Sequence, residues 1–384
     1  MERLIKKGVH FFEMNDHAYM KMALSLAQAT VGQTSPNPCV GAVVVKDGQL
    51  LGTGVHLKAG TPHAEVHAID EAGFSAKGAT MYITLEPCSH TGKTPPCTET
   101  IINSGIAKVL VATLDPNPLV AGSGVERLVK AGIEVEVGLC QEEATQINET
   151  FFHYIQTNVP FVTIKAGISL DGKIAATSGD SKWITSPESR RDVHQRRHEH
   201  DGILVGINTI LKDNPLLTTR LPRGGKNPIR IILDTYLNVP ITANVVQDRS
   251  ASTIIFTANQ IDIKKKIEFE RLGVTVISQE RTTISIHEVL KTLGKMKMIS
   301  VLVEGGSGIH ASFIEANMFQ QIIAYISPKI IGGLEAFPFV GGDGSKFVKH
   351  GKPLRYTDVK QVGPDIKITA KPIKGLEGDK CLPE

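Results

Sequence analysis

Three short stretches hold residue types that can do chemistry together: His63-Ala64-Glu65, Pro87-Cys88 and Pro96-Cys97. One imidazole and two thiolates suit zinc, and a catalytic zinc site keeps three protein ligands and leaves a fourth position for water. The bound ion acidifies that water towards neutrality. A carboxylate beside the ion, but not on it, can then carry the proton from attacking water to a leaving amine. On this reading His63, Cys88 and Cys97 are the metal ligands and Glu65 is the proton carrier. The set has the H-x-E and P-C ingredients of zinc nucleobase deaminases, although residues 89–96 stand between the cysteines where two residues are usual. A closed structural zinc site, completed by His67 or His90, is the competing reading.

The second half offers further candidates. Val303-Glu304-Gly305-Gly306-Ser307-Gly308 reads as a strand ending in glycines before a helix, where backbone N–H groups and the helix start favour phosphate. Gly306-x-Gly308-x-x-Ala311 fits the loose dinucleotide fingerprint; an ordinary tight strand–helix turn fits it equally. KAGISLDGK is a strand running into a turn, and SKWITS precedes a basic helix with Arg190, Arg191, Arg196 and Arg197. Pattern alone reads those arginines as a solvated face. His194 and His198 stand four apart, but Gln195 replaces the glutamate of the zinc-protease motif, so exposed helix histidines are the simpler reading. Trp183, the single tryptophan, is either core packing or the wall of a ligand site.

These residues need elements to hold them. Helical periodicity covers 15–30, with Asn15 as N-cap. Strands at 40–45 and 50–55 flank Asp47-Gly48, a hairpin signal. Then follow a helix at 63–72, a strand at 80–85, the cysteine loop, a helix near 98–104, a strand at 108–113, a helix at 124–131, a strand at 134–137 and a helix at 141–156. Beyond Pro160, FVTIKAGISL, ILVG, IRIILD, STIIF, VTVIS, ISVLVE and QIIAYIS read as strands. Helices are expected among them at 186–198, 261–272, 286–296 and 310–316. Alternation of this kind implies α/β layers with largely parallel sheets, in two domains, 1–150 and 151–384.

Composition narrows the function classes. A length of 384 residues fits two domains of roughly 150 or more. With 41% hydrophobic and 21% charged residues, the chain is not intrinsically disordered. A net charge of +3 and 5% aromatics argue against a basic, aromatic-lined groove for nucleic acid. No apolar run approaches a membrane span, and the apolar stretch near the N-terminus is too short for a signal peptide. Five scattered cysteines do not make a disulfide scaffold. A soluble protein of the reducing cytoplasm is expected. A base deaminase acting on a polymer and a zinc- and nucleotide-binding regulatory module are the rival readings.

The runs TSPNPCVGAVVV, HLKAGTPHAEVHA, LEPCSHTGKTPPC and DPNPLVAGSG together resemble the deaminase half of the bifunctional riboflavin-biosynthesis deaminase/reductases. KAGISLDGK, SKWITS, GINTILKDNPLLTTR, ILD at 232–234 and VEGGSGIH resemble the reductase half. The resemblance spans about Asn15 to about Ile373. It implies a cytidine-deaminase-like three-layer α/β/α domain followed by a dihydrofolate-reductase-like α/β domain. The first would hydrolyse an amine from a diaminopyrimidinone carrying a phosphoribosylamino group. The second would deliver hydride from NADPH to the open-chain ribosyl side chain, giving ribityl. The resemblance also implies substrate contacts from Asn37, His56, Asp115 and Asn117, each of which could instead be turn or cap residues. In the second half it implies dinucleotide contacts from Gly167, Trp183, Thr209, Asp213, Thr235 and the loop Gly306, Ser307, Gly308, Ile309, His310, Ala311 and Ser312. Ser181, Arg197, Leu217, Arg220 and Glu304 would hold the phosphorylated substrate. Asp213 could also simply turn the chain before Asn214-Pro215. A homo-oligomer, dimer or tetramer, is expected, with no nucleic-acid or membrane partner.

Overall fold

In the computed structural model of the chain, which describes residues 15–89, 96–117 and 121–373, the fold divides into Met1–Gln156 and Thr157–Glu384. The first unit begins with helix α1 (Asp16–Gln28), capped as expected by Asn15, whose side chain accepts from the Ala18 N–H. Strands β1 (Gly41–Lys46) and β2 (Gln49–Val55) follow. The turn between them sets Asp47 and Gly48 at φ of 51° and 74°, the left-handed pair that a two-residue hairpin requires. Helix α2 (Ala64–Ala72), β3 (Thr80–Ile83), α3 (Cys97–Ser104), β4 (Lys108–Val111), α4 (Ser123–Lys130) and β5 (Glu134–Val137) complete the layers. The sheet order is β2-β1-β3-β4-β5, antiparallel around β1 and parallel from β3 onward.

β1 is buried on both faces, which is why its sequence is a continuous apolar run. Ala42 and Val44 pack with Ala64 and Ala68 of α2, Ile101 of α3 and Leu128 of α4. Val43 and Val45 pack with Tyr19, Met20, Ala23 and Leu24 of α1. Helices therefore cover the sheet on both sides. α2 lies unusually close: a Cβ on Gly54 would sit 1.9 Å from the Ala64 carbonyl oxygen, and one on Gly52 2.2 Å from that of Ala68. Glycine in the strand and alanine in the helix bring backbone against backbone, and this contact fixes the height of the turn that carries His63 and Glu65.

One expected helix is two. The periodicity at 141–156 resolves into α5 (Gln141–Ile147) and α6 (Glu149–Thr157). Between them Asn148 turns inward; its Oδ1 accepts from the Cys39 N–H at 2.8 Å and its Nδ2 donates to the Cys39 carbonyl at 2.9 Å. A buried amide that satisfies a distant backbone pair interrupts the helix.

The second unit is built on β6 (Phe161–Ser169), with a short β7 (Lys173–Ala175), α7 (Pro187–Glu199), β8 (Gly202–Gly206), α8 (Ile207–Asp213) and β9 (Ile229–Leu233). After these come α9 (Asn244–Gln247), β10 (Thr253–Thr257), α10 (Ile263–Arg271), β11 (Thr275–Ser278), α11 (Ile286–Lys295), β12 (Ser300–Val303), α12 (Ser307–Glu315) and β13 (Gln321–Ser327). A two-residue β14 (Phe337–Pro338) and a hairpin of β15 (Leu354–Val362) and β16 (Asp365–Pro372) end the fold. The nine-stranded order is β11-β10-β9-β8-β12-β6-β13-β16-β15, and β14 pairs only with β7. The sheet is parallel up to β13; the terminal hairpin joins antiparallel. The hairpin, like the short β7, α8, α9 and β14, is absent from the elements expected from sequence. Inside the sheet, the fully buried Arg230 donates to the carbonyls of Leu216 (2.8 Å), Asp248 (2.9 Å) and Ala251 (3.1 Å) and pairs with the Asp248 carboxylate. The Asp248 carboxylate is 29% exposed, so the three carbonyls account for most of the satisfaction of the buried guanidinium, and they tie down the loop before Leu217. Among the described residues no helix is long and apolar enough to cross a membrane.

Candidate active sites

His63 is the N-cap residue of α2, Glu65 lies in its first turn, Cys88 follows β3, and Cys97 opens α3. Their ligand atoms converge: the nitrogen and sulfur atoms of His63, Cys88 and Cys97 all lie within 4.8 Å of one another. His63 Nδ1 is 3.1 Å from Cys97 Sγ and 3.7 Å from Cys88 Sγ. Zinc–sulfur and zinc–nitrogen bonds of about 2.3 and 2.0 Å at tetrahedral angles need separations of roughly this size, so the three residues fit the ion. His67 does not join them, and His90 lies outside the described residues. Among the described residues this is the one cluster of its kind. The hydrogen bond between the two cysteines lowers the Cys88 thiol against the opposing effect of burial and raises that of Cys97.

Glu65 is 3% exposed, and its Oε2 is buried with no hydrogen-bond partner. Burial raises its carboxyl to about 6, with the nearby His63 pulling the other way. An acid that is buried, unbonded at one oxygen and next to the ligand cluster is suited to take up and release a proton.

Asn37 and His56 come to the same place. The Asn37 amide is 3.1 Å from His56 Nε2, and the His56 ring lies edge-on to His63 at 5.2 Å. His56 Nδ1 is 3.2 Å from the Pro62 carbonyl, and burial lowers its pKa, so a neutral ring donates to Pro62 and accepts from Asn37. Asp115 and Asn117 form an Asx turn, the Asn117 N–H donating to Asp115 Oδ1 at 2.9 Å. Glu86, which the sequence reading passed over, ties that turn to the cysteine strand: the Asp115 N–H donates to its carboxylate.

In the second unit, Arg197 Nε and Nη2 donate to Glu304 Oε1 and Oε2 at 2.7 and 3.0 Å, a bidentate pair just beyond β12. Arg197 Nη1 also donates to the Thr218 carbonyl at 3.0 Å, and Lys165 Nζ lies 3.4 Å from Glu304. Burial would raise the Glu304 carboxyl, but Arg197 and then Lys165 hold it at about 2. The basic helix is not the solvated face that its pattern implied. Of its four arginines only Arg191 is exposed. The two helix histidines are half-buried: His194 and His198 accept from the backbone N–H groups of Arg220 and Lys226. A cavity of about 410 Å³ is lined by Pro187, Arg190, Arg191, His194, Arg220, Leu221 and Pro222, a strongly cationic wall.

Trp183 is 61% exposed, with the Arg190 guanidinium 4.3 Å from its ring centre, which removes the core-packing reading. Gly167 sits against Thr185, whose Cγ2 a Cβ would meet at 3.0 Å. Ser181, Thr209 and Thr235 are half-buried, and Asp213 is exposed at the end of α8, paired with Lys182 at 3.6 Å. Leu217 has its side chain in the core at φ +54°, so only its backbone could meet a ligand. At α12, Gly306 and Gly308 face open space and no side chain caps the helix. Ile309 packs on Gly206 and Gly305, His310 is buried with Nδ1 2.9 Å from the Phe339 carbonyl, Ala311 is buried, and Ser312 bonds back to Gly308. The N–H groups of Ile309 and His310 donate to the Gly306 carbonyl, so what the turn offers a phosphate is the open space at Gly306 and Gly308 at the uncapped helix start.

Residues 13–113 match the cytidine and deoxycytidylate deaminase zinc-binding region, and residues 160–368 match the RibD C-terminal domain. A riboflavin biosynthesis protein RibD from Bacillus amyloliquefaciens is 51% identical over 361 residues, 94% of this chain and 97% of that protein. Among solved structures, Acinetobacter baumannii RibD (form 1) superposes with a TM-score of 0.85 at 36% identity, covering 94% of this chain and 99% of that one. A Thermotoga maritima diaminohydroxyphosphoribosylaminopyrimidine deaminase/5-amino-6-(5-phosphoribosylamino)uracil reductase does so at 0.82 and 38% identity, covering 93% and 98%.

Proposed function

The chain belongs to the RibD family of riboflavin biosynthesis proteins, and from that premise we propose which of its residues carry the family's two consecutive reactions. It is a bifunctional deaminase and reductase. The carrying observation is the convergence of His63, Cys88 and Cys97 beside a buried, half-unbonded Glu65.

In the first unit His63, Cys88 and Cys97 hold zinc, which when bound supplies the Lewis acidity that makes water a nucleophile at neutral pH. Glu65 Oε2 receives the proton that water loses and returns it to the departing amine nitrogen, so that ammonia leaves and a ring carbonyl remains. Asn37, His56, Asp115 and Asn117 orient the pyrimidine and its ribosyl phosphate. In the second unit Gly306 to Ser312, with Gly167, Trp183, Thr209, Asp213 and Thr235, would hold NADPH, which would supply the hydride when bound. The Arg197–Glu304 pair, with Ser181, Leu217 and Arg220, holds the ribosyl side chain, and the cationic cavity takes its phosphate.

A single assay separates these claims. Given the diaminopyrimidinone ribosyl phosphate, the purified protein is expected to release ammonia whether or not NADPH is present. It should oxidise NADPH only after that release, and should bind NADPH more tightly than NADH with a change in Trp183 fluorescence. Ammonia release that needs no zinc, or no binding of either nicotinamide, overturns the corresponding half.

The same reading includes a homo-oligomer and a cytoplasmic setting. Among the described residues β15 ends the sheet with an open edge, and 354–361 are exposed, Tyr356 at 72%. An unprotected edge strand of this length is a template for another strand, and a second copy of the chain satisfies it. Sedimentation of the intact protein at single-chain mass at micromolar concentration would overturn that part. The four cysteines among the described residues, the metal donors included, form no disulfide, which suits a reducing compartment.

A further inference from the structure

Glu86 is 5% exposed, on the segment between β3 and Cys88, and takes no part in the chemistry described above. Its carboxylate accepts from four backbone N–H groups. Oε2 takes those of Asp115 (3.1 Å) and Gly122 (3.0 Å), and Oε1 takes those of Gly124 (2.8 Å) and Val125 (3.3 Å). The Glu86 N–H itself donates to the Thr113 carbonyl at 3.0 Å. These partners bracket the turn after β4 and the first residues of α4, where a helix start favours negative charge. Two further contacts lie alongside: Ser89 Oγ is 2.7 Å from Ser123 Oγ, and a Cβ on Gly124 would lie 2.1 Å from the Pro87 carbonyl oxygen.

We propose that Glu86 is a positioning residue of the deaminase site, clasping the loop that carries Asp115 and Asn117 to the strand end that carries Cys88, so that substrate contacts and metal ligands keep one spacing. This inference rests on the assignment of Asp115 and Asn117 as substrate contacts. The physical case is one of matching. The loop has backbone donors that must be satisfied once buried, and a single ionised carboxylate meets four of them with charge-assisted bonds. A glutamine of the same shape has one accepting oxygen, and its amide N–H₂ would face two N–H donors.

The test is Glu86→Gln in the full-length zinc-loaded protein, read by three measurements. Backbone hydrogen exchange at 113–125 is expected to accelerate about tenfold or more, as bonds to a buried acceptor are lost. The deaminase KM should rise about tenfold or more while kcat stays within about threefold, the signature of lost substrate alignment and not of lost chemistry. Zinc content should stay equal to that of the parent protein. Unchanged exchange overturns the clasp. Faster exchange with an unchanged KM overturns the link to substrate, whereas an unchanged KM in Asp115→Ala and Asn117→Ala as well overturns the assignment on which it rests. Loss of zinc with KM unchanged reduces Glu86 to a structural support of Cys88 and also overturns the proposal. If Glu86→Gln does not fold, Gly124→Ala, which keeps the carboxylate but wedges the loop from Pro87, is judged by the same three outcomes.

Discussion

Glu65→Gln is expected to lower the rate of ammonia release by about 10²- to 10⁴-fold, the usual range for removing a general acid–base group. The substitution keeps the side chain's size in a site where Glu65 is 3% exposed, so packing is preserved. It removes only the ability of the Oε2 position to take and return a proton. Three controls make the result specific. Zinc per chain should equal that of the parent protein, because His63, Cys88 and Cys97 are untouched. The circular dichroism spectrum should not change. NADPH oxidation with the already deaminated pyrimidine should proceed at the parent rate, because that chemistry belongs to the other unit. Ammonia release at the parent rate by the zinc-loaded variant would remove Glu65 from the reaction.

Arg197→Met should have the largest effect in the second unit. The guanidinium is bidentate to Glu304, and both side chains are nearly buried, 13% and 9% exposed. Removing the cation leaves a buried carboxylate with only Lys165, at 3.4 Å, to oppose it. Breaking such a pair costs about 3–5 kcal/mol, and loss of alignment at the sugar should lower reductase kcat/KM by about 100-fold or more.

The pH dependence of stability should also invert. In the parent protein Glu304 is held at about 2, below its ordinary 4.5, so its contribution is complete above pH 4.5 and is lost as pH falls towards 2. In the variant burial prevails and the carboxyl titrates above its ordinary value. The penalty is then present at neutral pH and is relieved by acidification. Thermal unfolding followed by the fluorescence of Trp183, which lies in the second unit and is the single tryptophan, should show the variant's midpoint rising from pH 7 to 4.5, a window in which the parent's Glu304 contribution stays constant. Parallel pH profiles would show that Arg197 does not set the ionisation of Glu304.

The clustering of His63, Cys88 and Cys97 was legible in the sequence because its information is local. His63 and Glu65 sit two positions apart at a helix start, and each cysteine follows a proline, so residue type and spacing were enough. The hairpin turn at Asp47-Gly48 was readable for the same reason, since positive φ at two successive residues selects its own chemistry. What escaped depends on partners far away in the chain. Nothing in 141–156 announces that Asn148 will leave the helical run to bond Cys39, 109 positions earlier. Glu86 was invisible because its partners are backbone N–H groups, which carry no sequence signature. The arginine helix was misread because its amphipathic pattern is weak; burial there comes from Glu304, Thr218 and Asp365 on other elements. The strand β15 shows no alternation since almost all of it is exposed, and periodicity marks a strand only when one face is covered. Leu217 marks a further limit: a resemblance can assign a position to a ligand while the side chain itself serves the core.

The stacking of α2 on β2 through Gly52, Gly54, Ala64 and Ala68 has a practical side for anyone wishing to retune this enzyme towards other heterocycles. Where two main chains touch, no rotamer can absorb an added methyl, and an ångström of lift at the strand becomes an ångström of lift at Glu65. A variant library should therefore leave those four codons untouched. Diversity belongs in Asn37 and His56, whose side chains meet each other beside His63 without setting the distance from the sheet to the acid.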